Sequence, residues 1–120
     1  MTPGPSHPVV YLELRTGNLA HACAFYMRLF GWQAETVQTR SGCYLTLGLG
    51  DRIEGGVVEH DIDHALWLPY VEVADVAETT ARAQRLGATV LLAPREGPAG
   101  WRSVLAAPSG GEIALWQPKG

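Results

Sequence analysis

Asn18–Trp32, NLAHACAFYMRLFGW, has a counterpart further along the chain in Asp75–Gly87, DVAETTARAQRLG. Each stretch opens on Asn or Asp, side chains that cap a helix by accepting from its first orphan amides. Each then carries apolar residues at helical spacing and closes on a hydrophobic residue followed by Gly, the usual left-handed stop. Each also follows a strand-like run, VVYLELRT at 9–16 and LWLPYVEVA at 66–74. The copies stand about half a chain apart, so the sequence reads as two similar modules in tandem.

Working outward, Val9–Arg15 alternates and is rich in branched and aromatic residues, which predicts a strand. Alternation puts Tyr11, Glu13 and Arg15 on one face and Val10, Leu12 and Leu14 on the other. In the first helix Leu19, Ala22, Phe25, Tyr26, Leu29 and Phe30 form a stripe expected to pack into the core. Strands are expected at Trp32–Gln38, Cys43–Leu49 and Ile53–Val58, with turns at residues 39–42 and at Gly50-Asp51. The polar run EHDIDH at 59–64 reads as an inter-module joint. In the second module Trp67–Ala74 is a strand, Asp75 and Glu78 form a capping box, and Ala83 and Leu86 supply the helix's inner stripe. Strands follow at 88–92, 101–106 and 112–117. Pro94–Gly100 is expected to leave the sheet as a loop, and residues 108–111 to turn.

Composition narrows the function classes. A chain of 120 residues is one domain large enough for a core without staples. A net charge of −3, with scattered Arg residues, gives no reason to expect nucleic acid or an anionic membrane as partner. Cys23 and Cys43 lie in apolar runs and fit buried thiols of a reduced, cytoplasmic protein rather than a disulfide framework. Residues 1–8 read as a loose tail and not a signal peptide. No apolar run approaches membrane-spanning length.

The segments FYMRLFGW at 25–32, YVEVADV leading to RLGA at 70–88 and APSGGEIALW at 107–116 resemble the vicinal oxygen chelate superfamily, which includes glyoxalase I, extradiol dioxygenases, methylmalonyl-CoA epimerase and bleomycin-binding resistance proteins. The resemblance spans Val9 to Trp116. It implies an α+β fold of two βαβββ modules, about 9–58 and 66–117, forming a curled mixed-sheet cup. It also implies a homodimer and a divalent metal held by His, Gln or Glu inside the cup. The corresponding ligand positions fall on Tyr11, Leu68 and Ala114, and near Val57 or Val58. A neutral phenol is a poor ligand and hydrocarbon side chains have no donor atom, so the expectation is a cup with neither metal nor other cofactor. His60 and His64 would share one face only of a helix, and EHDIDH stands between strands. Glu72 and Glu112 are expected at the surface, because an isolated buried carboxylate is costly.

A cup rich in aromatic side chains remains. Tyr11, Glu13, Leu68, Tyr70, Trp101, Ala114 and Trp116 are the candidate ligand-binding residues, since rigid rings suit planar organic ligands. For the aromatic members ordinary core or dimer packing is the competing reading. Glu13 is the candidate acid or base, if desolvation beside Tyr11 and Tyr70 raises its pKa; pairing with Arg15 or Arg102 is the alternative. Three functions follow: a metal-free binding protein for a hydrophobic or aromatic small molecule, as in antibiotic resistance; a metal-independent enzyme of secondary metabolism (hydroxylase, cyclase or isomerase) using Glu13; or a metal-dependent lyase or dioxygenase. They are preferred in that order.

Overall fold

The computed structural model describes residues 7–39, 42–48 and 53–119. The first half runs β1 (Val9–Thr16), α1 (Leu19–Phe30), β2 (Ala34–Thr39), β3 (Gly42–Gly48) and β4 (Glu54–Glu59). The second runs β5 (Leu66–Glu72), α2 (Val76–Arg85), β6 (Thr89–Glu96), β7 (Gly100–Ala106) and β8 (Glu112–Pro118). This is the α+β plan of two βαβββ modules expected from the sequence. The chain divides into two compact units, Tyr11–Leu68 and Pro69–Gly120, the latter taking in the residues up to Val10.

In the first unit the strands lie in the order β2-β3-β4-β1. Antiparallel neighbours join β2 to β3 and β3 to β4, while β1 and β4 pair in parallel. The turn expected at 39–42 falls between β2 and β3, but Arg40 and Ser41 lie outside the described residues, as do Leu49 and the expected turn at Gly50-Asp51. Helix α1 starts where Asn18 Oδ1 accepts from the His21 amide at 3.0 Å. It ends at Gly31, whose φ of 73° lets its amide return to the Met27 carbonyl at 2.8 Å. Its inner side sets Leu19, Ala22, Cys23 and Tyr26 against Leu14 and Val57. The expected stripe is only half right. Phe25, Leu29 and Phe30 are 55–58% exposed, because α1 is apolar on both sides and the sheet covers one.

Glu59 is likewise not part of a free joint. It closes β4, and its Oε2 accepts from the Leu19 amide at 3.0 Å, a second cap on α1. The next residue, His60, donates its amide to the Thr16 carbonyl at 2.9 Å.

The second unit repeats the plan as β5-β8-β7-β6, with β5 and β8 parallel and the other pairs antiparallel. Asp75 caps α2 by accepting from the Glu78 amide at 3.0 Å, and Gln117 Oε1 accepts from the Val76 amide at 2.9 Å. The core beneath α2 contains Val73, Val76, Leu105 and Leu115, with Ala83 and Trp101 packed on it. Leu86, expected on the inner stripe, is 71% exposed. It falls at the helix C-cap, beyond the turn that faces the sheet. Strand β6 continues through Pro94 to Glu96 where a loop was expected. The sheet tolerates this because β6 is an edge strand and its pairing with β7 shifts register twice before Arg95. The expected turn at 108–111 is present, with Gly110 and Gly111 at φ 97° and 85°. Pro8, assigned to the loose tail, accepts the Glu72 amide at 2.9 Å and so is tied down.

Candidate functional site

On β1, Leu14 is 2% exposed and packs with Cys23 and Val57 beneath α1. Strand alternation therefore turns Tyr11, Glu13 and Arg15 to the opposite face. Glu13 is 7% exposed, and its Oε1 accepts from Arg15 Nε at 2.8 Å. A carboxylate that leaves water needs such a partner, and here the guanidinium two residues along its own strand supplies it. The pairing with Arg15, weighed in the sequence along with Arg102 or another buried donor, is formed.

The β1/β4 register pairs Glu13 with Gly56, Leu14 with Val57 and Arg15 with Val58. Val57 thus belongs to the α1 core. In the second unit Tyr70 pairs with Ala114. By the same offset the first-module counterpart of Ala114 is Gly56, rather than Val57 or Val58.

In the second unit Trp101 and Leu105 pack beneath α2, and Ser103 hydrogen bonds Thr80 of that helix at 2.8 Å. The phase of β7 is fixed accordingly, and Arg102 and Val104 point to the other face. The register sets Arg102 beside Trp116, and Val104 beside Ala114, which in turn neighbours Tyr70. Arg102 Nη1 donates to the Tyr70 hydroxyl at 3.0 Å. Tyr70, Val104 and Ala114 are buried, whereas Arg102 and Trp116 are half-buried. Leu68 lies on the Tyr70 side of β5 by alternation and is fully buried.

Tyr70, Ala114 and Trp116 are therefore gathered on one face together with Arg102, which the sequence reading considered only as a partner for Glu13. Trp101 is not. It sits on the α2 side and lines a separate concavity of about 280 Å³ with Asp75, Pro94, Arg95, Glu96 and Gln117. Lys119 Nζ lies 5.6 Å from its ring centroid and also pairs with Glu96. The amides of Val76 and Glu78 at this end of α2 are already satisfied by Gln117 and Asp75.

Tyr26, Phe30, Trp32 and Trp67 form an aromatic cluster in the first unit, with Tyr26–Trp67 and Phe30–Trp32 centroids 5.4 and 4.8 Å apart. Trp67 Nε1 donates to the Tyr26 hydroxyl at 3.3 Å. Trp32 and Trp67 thus pack as structural residues. Cys23 is buried, and burial pushes its thiol above the ordinary range.

The chemistry of the donor set does not suit the divalent metal of the superfamily. Tyr11, Leu68, Ala114 and Gly56 supply one neutral phenol and no His or carboxylate. Among the described residues no three His, Cys, Asp or Glu side chains come together as an alternative site. No described helix is long and apolar enough to cross a membrane.

The mixed α+β architecture with a repeated βαβββ unit defines a glyoxalase/bleomycin-resistance-like protein. The sequence profile of the glyoxalase-like domain family matches residues 11–116, and this chain belongs to that family. It is accordingly a member of the vicinal oxygen chelate superfamily, whose members bind small molecules or act on them.

No curated protein sequence matches the chain. Among solved structures, a hypothetical protein from Bacillus halodurans C-125 superposes with a TM-score of 0.73 at 11% identity, covering 97% of both chains. Methylmalonyl-CoA epimerase from Mycobacterium tuberculosis gives 0.67 at 14% identity, over 93% of this chain and 88% of its own. A Streptomyces coelicolor methylmalonyl-CoA epimerase in complex with 2-nitronate-propionyl-CoA gives 0.63 at 15% identity, over 93% and 97%. At such identities the likeness is one of fold.

Proposed function

We propose that this glyoxalase-like domain is a metal-free small-molecule binding protein that holds a hydrophobic or aromatic ligand against the β5–β8–β7 face. One observation carries the reading. The register that puts Ala114 at a superfamily ligand position also puts the half-buried indole of Trp116 and the buried phenol of Tyr70 on the same face. Such a surface offers the flat area of a half-buried indole where chelating relatives would present a metal. One epimerase neighbour is in complex with 2-nitronate-propionyl-CoA, but the donor set here gives no support to epimerase chemistry in this chain.

The enzyme reading rests on Glu13, and the ion pair with Arg15 speaks against it. The Glu13 Oε1 is already engaged by Arg15 Nε at 2.8 Å, so that oxygen is committed to a structural contact. The same proposal includes a homodimer. Phe25 and Leu29 on the outer side of α1 form an apolar surface of the kind that is ordinarily covered, and a second copy is the occupant proposed. Sedimentation of the wild type against Leu29→Glu tests that part: dimer for the first, monomer for the second. A monomeric wild type refutes it.

The binding reading is tested by thermal shift over planar aromatic compounds, with metal analysis of the same purified sample. A ligand present at 100 times its Kd should stabilise by about 2.7 kcal/mol, and Trp116→Ala should abolish the shift. A stoichiometric divalent ion in the protein, or no stabilisation by any such compound, overturns the reading.

A further inference from the structure

The Arg102 guanidinium is half-buried, stands beside an indole and makes its recorded hydrogen bond to a neutral phenol. A guanidinium carries five N–H donors in a planar fork that matches a carboxylate, and Tyr70 occupies one. Among the described residues no carboxylate pairs with it. The nearest acid in this row of the sheet is Glu72, the register partner of Trp116 on β5. It stands two strand spacings from Arg102, roughly 10 Å, with the indole between them.

We infer that the ligand of this face carries a carboxylate, seated by Arg102 while its aromatic or apolar part lies on Trp116. The inference rests on the binding function proposed above and narrows it to a class, aromatic acids. The geometry divides the labour. Trp116 provides flat area to any planar ring, so it discriminates weakly. Arg102 accounts for a choice between an acid and its neutral analogue, because withdrawing a guanidinium from water is costly unless an anion replaces the lost hydration. Tyr70 holds the guanidinium in place through its Nη1 bond, leaving the remaining donors for the ligand.

The test compares matched acids and amides, which share ring and size but differ in charge. Binding of 2-naphthoate, 2-naphthamide, salicylate and salicylamide is measured by tryptophan fluorescence and calorimetry on the full chain. The wild type is expected to bind each acid at least tenfold more tightly than its amide. Arg102→Met keeps the side chain's length but removes the fork, and should erase that preference by weakening the acids far more than the amides. Arg102→Lys should retain part of it. Acids and amides bound equally by the wild type overturn the carboxylate inference and leave the binding function standing. A preference that survives Arg102→Met also overturns it. Failure of all four compounds to bind the wild type sinks both. The wild-type comparison alone decides the matter if a variant does not fold.

Discussion

Assignment of Arg102 and Trp116 to one face depends on the phase of β7, since a slip of one residue would exchange its two faces. The buried hydroxyl pair on the other face tests that phase. Thr80 Oγ1 lies 2.6 Å from the Val76 carbonyl and 2.8 Å from Ser103 Oγ, and both side chains are at most 3% exposed. The carbonyl can only accept, so the Thr80 proton goes to Val76 and Ser103 must donate to Thr80. Thr80→Val keeps the shape but strands the Ser103 O–H in a dry core. It should cost about 2 kcal/mol, within the range for an orphaned buried donor. Ser103→Ala leaves Thr80 its carbonyl partner and should cost roughly 1 kcal/mol. The double variant removes the stranded group as well, so its cost should fall below the sum of the two by about 1 kcal/mol. Urea unfolding with a common m-value measures all four corners of the cycle. For a chain of this size each kcal/mol corresponds to a Tm change of roughly 4 °C. Strict additivity, or Ser103→Ala costing more than Thr80→Val, would refute the pairing and with it the orientation of β7.

Other expectations follow from single contacts. Glu13→Gln should destabilise by about 2 to 3 kcal/mol, because it leaves Arg15 without its buried carboxylate, yet ligand binding on the β5–β8–β7 face should persist. Denaturant unfolding and calorimetry read the two effects separately, and turnover lost with the substitution would restore the enzyme reading. Gly100→Ala should destabilise by roughly 1 to 3 kcal/mol and disturb the Trp116 fluorescence. An added Cβ would meet the Gln117 carbonyl, lie 2.9 Å from the Trp116 ring and 3.0 Å from Pro118 Cα. An unchanged emission spectrum would contradict the packing of the indole on β7. Burial raises the Cys23 thiol, so unfolded chains ionise it first as pH rises. Its contribution to stability is whole below the ordinary thiol range and is lost as pH climbs from there through the raised value of the folded state. Cys23→Ala should flatten that alkaline decline in urea midpoints.

Much of the fold was legible because local signals agreed with the tertiary outcome. Asn18 and Asp75 cap the helices they were expected to cap, and Gly31 adopts the left-handed conformation its position implied. What local pattern could not give was how far each element is covered. Phe25, Leu29 and Phe30 repeat at helical spacing as well as Leu19, Ala22 and Tyr26 do. Periodicity on an all-apolar helix does not say which side meets the sheet. Pro94 signalled a loop, since proline removes a ladder donor. The edge position of β6 and its shifted register make that loss harmless, and edge position is a property of topology.

The site was half legible for a related reason. Alternation along β5 and β8 groups Tyr70 with Leu68 and Ala114 with Trp116, and the register of the two strands agrees with it. In β7, WRSVLA, polar and apolar residues fall on both faces, so the phase is ambiguous in sequence. Trp101 was a candidate ligand-binding residue, whereas Arg102 was considered only as a partner for Glu13; the structure puts Trp101 on the α2 side and Arg102 beside Trp116. Only the Ser103–Thr80 bond and the packing of Leu105 beneath α2 resolve the phase. The same dependence on pairing explains Gly56. Counting along the chain pointed to Val57 or Val58, but parallel register with β1 is what decides which β4 residue stands beside Glu13. Both outcomes act in one direction. One leaves a glycine, with no side-chain donor, at a position that would chelate a metal, and the other sets a cation beside an indole, which favours a ligand recognised by ring and charge.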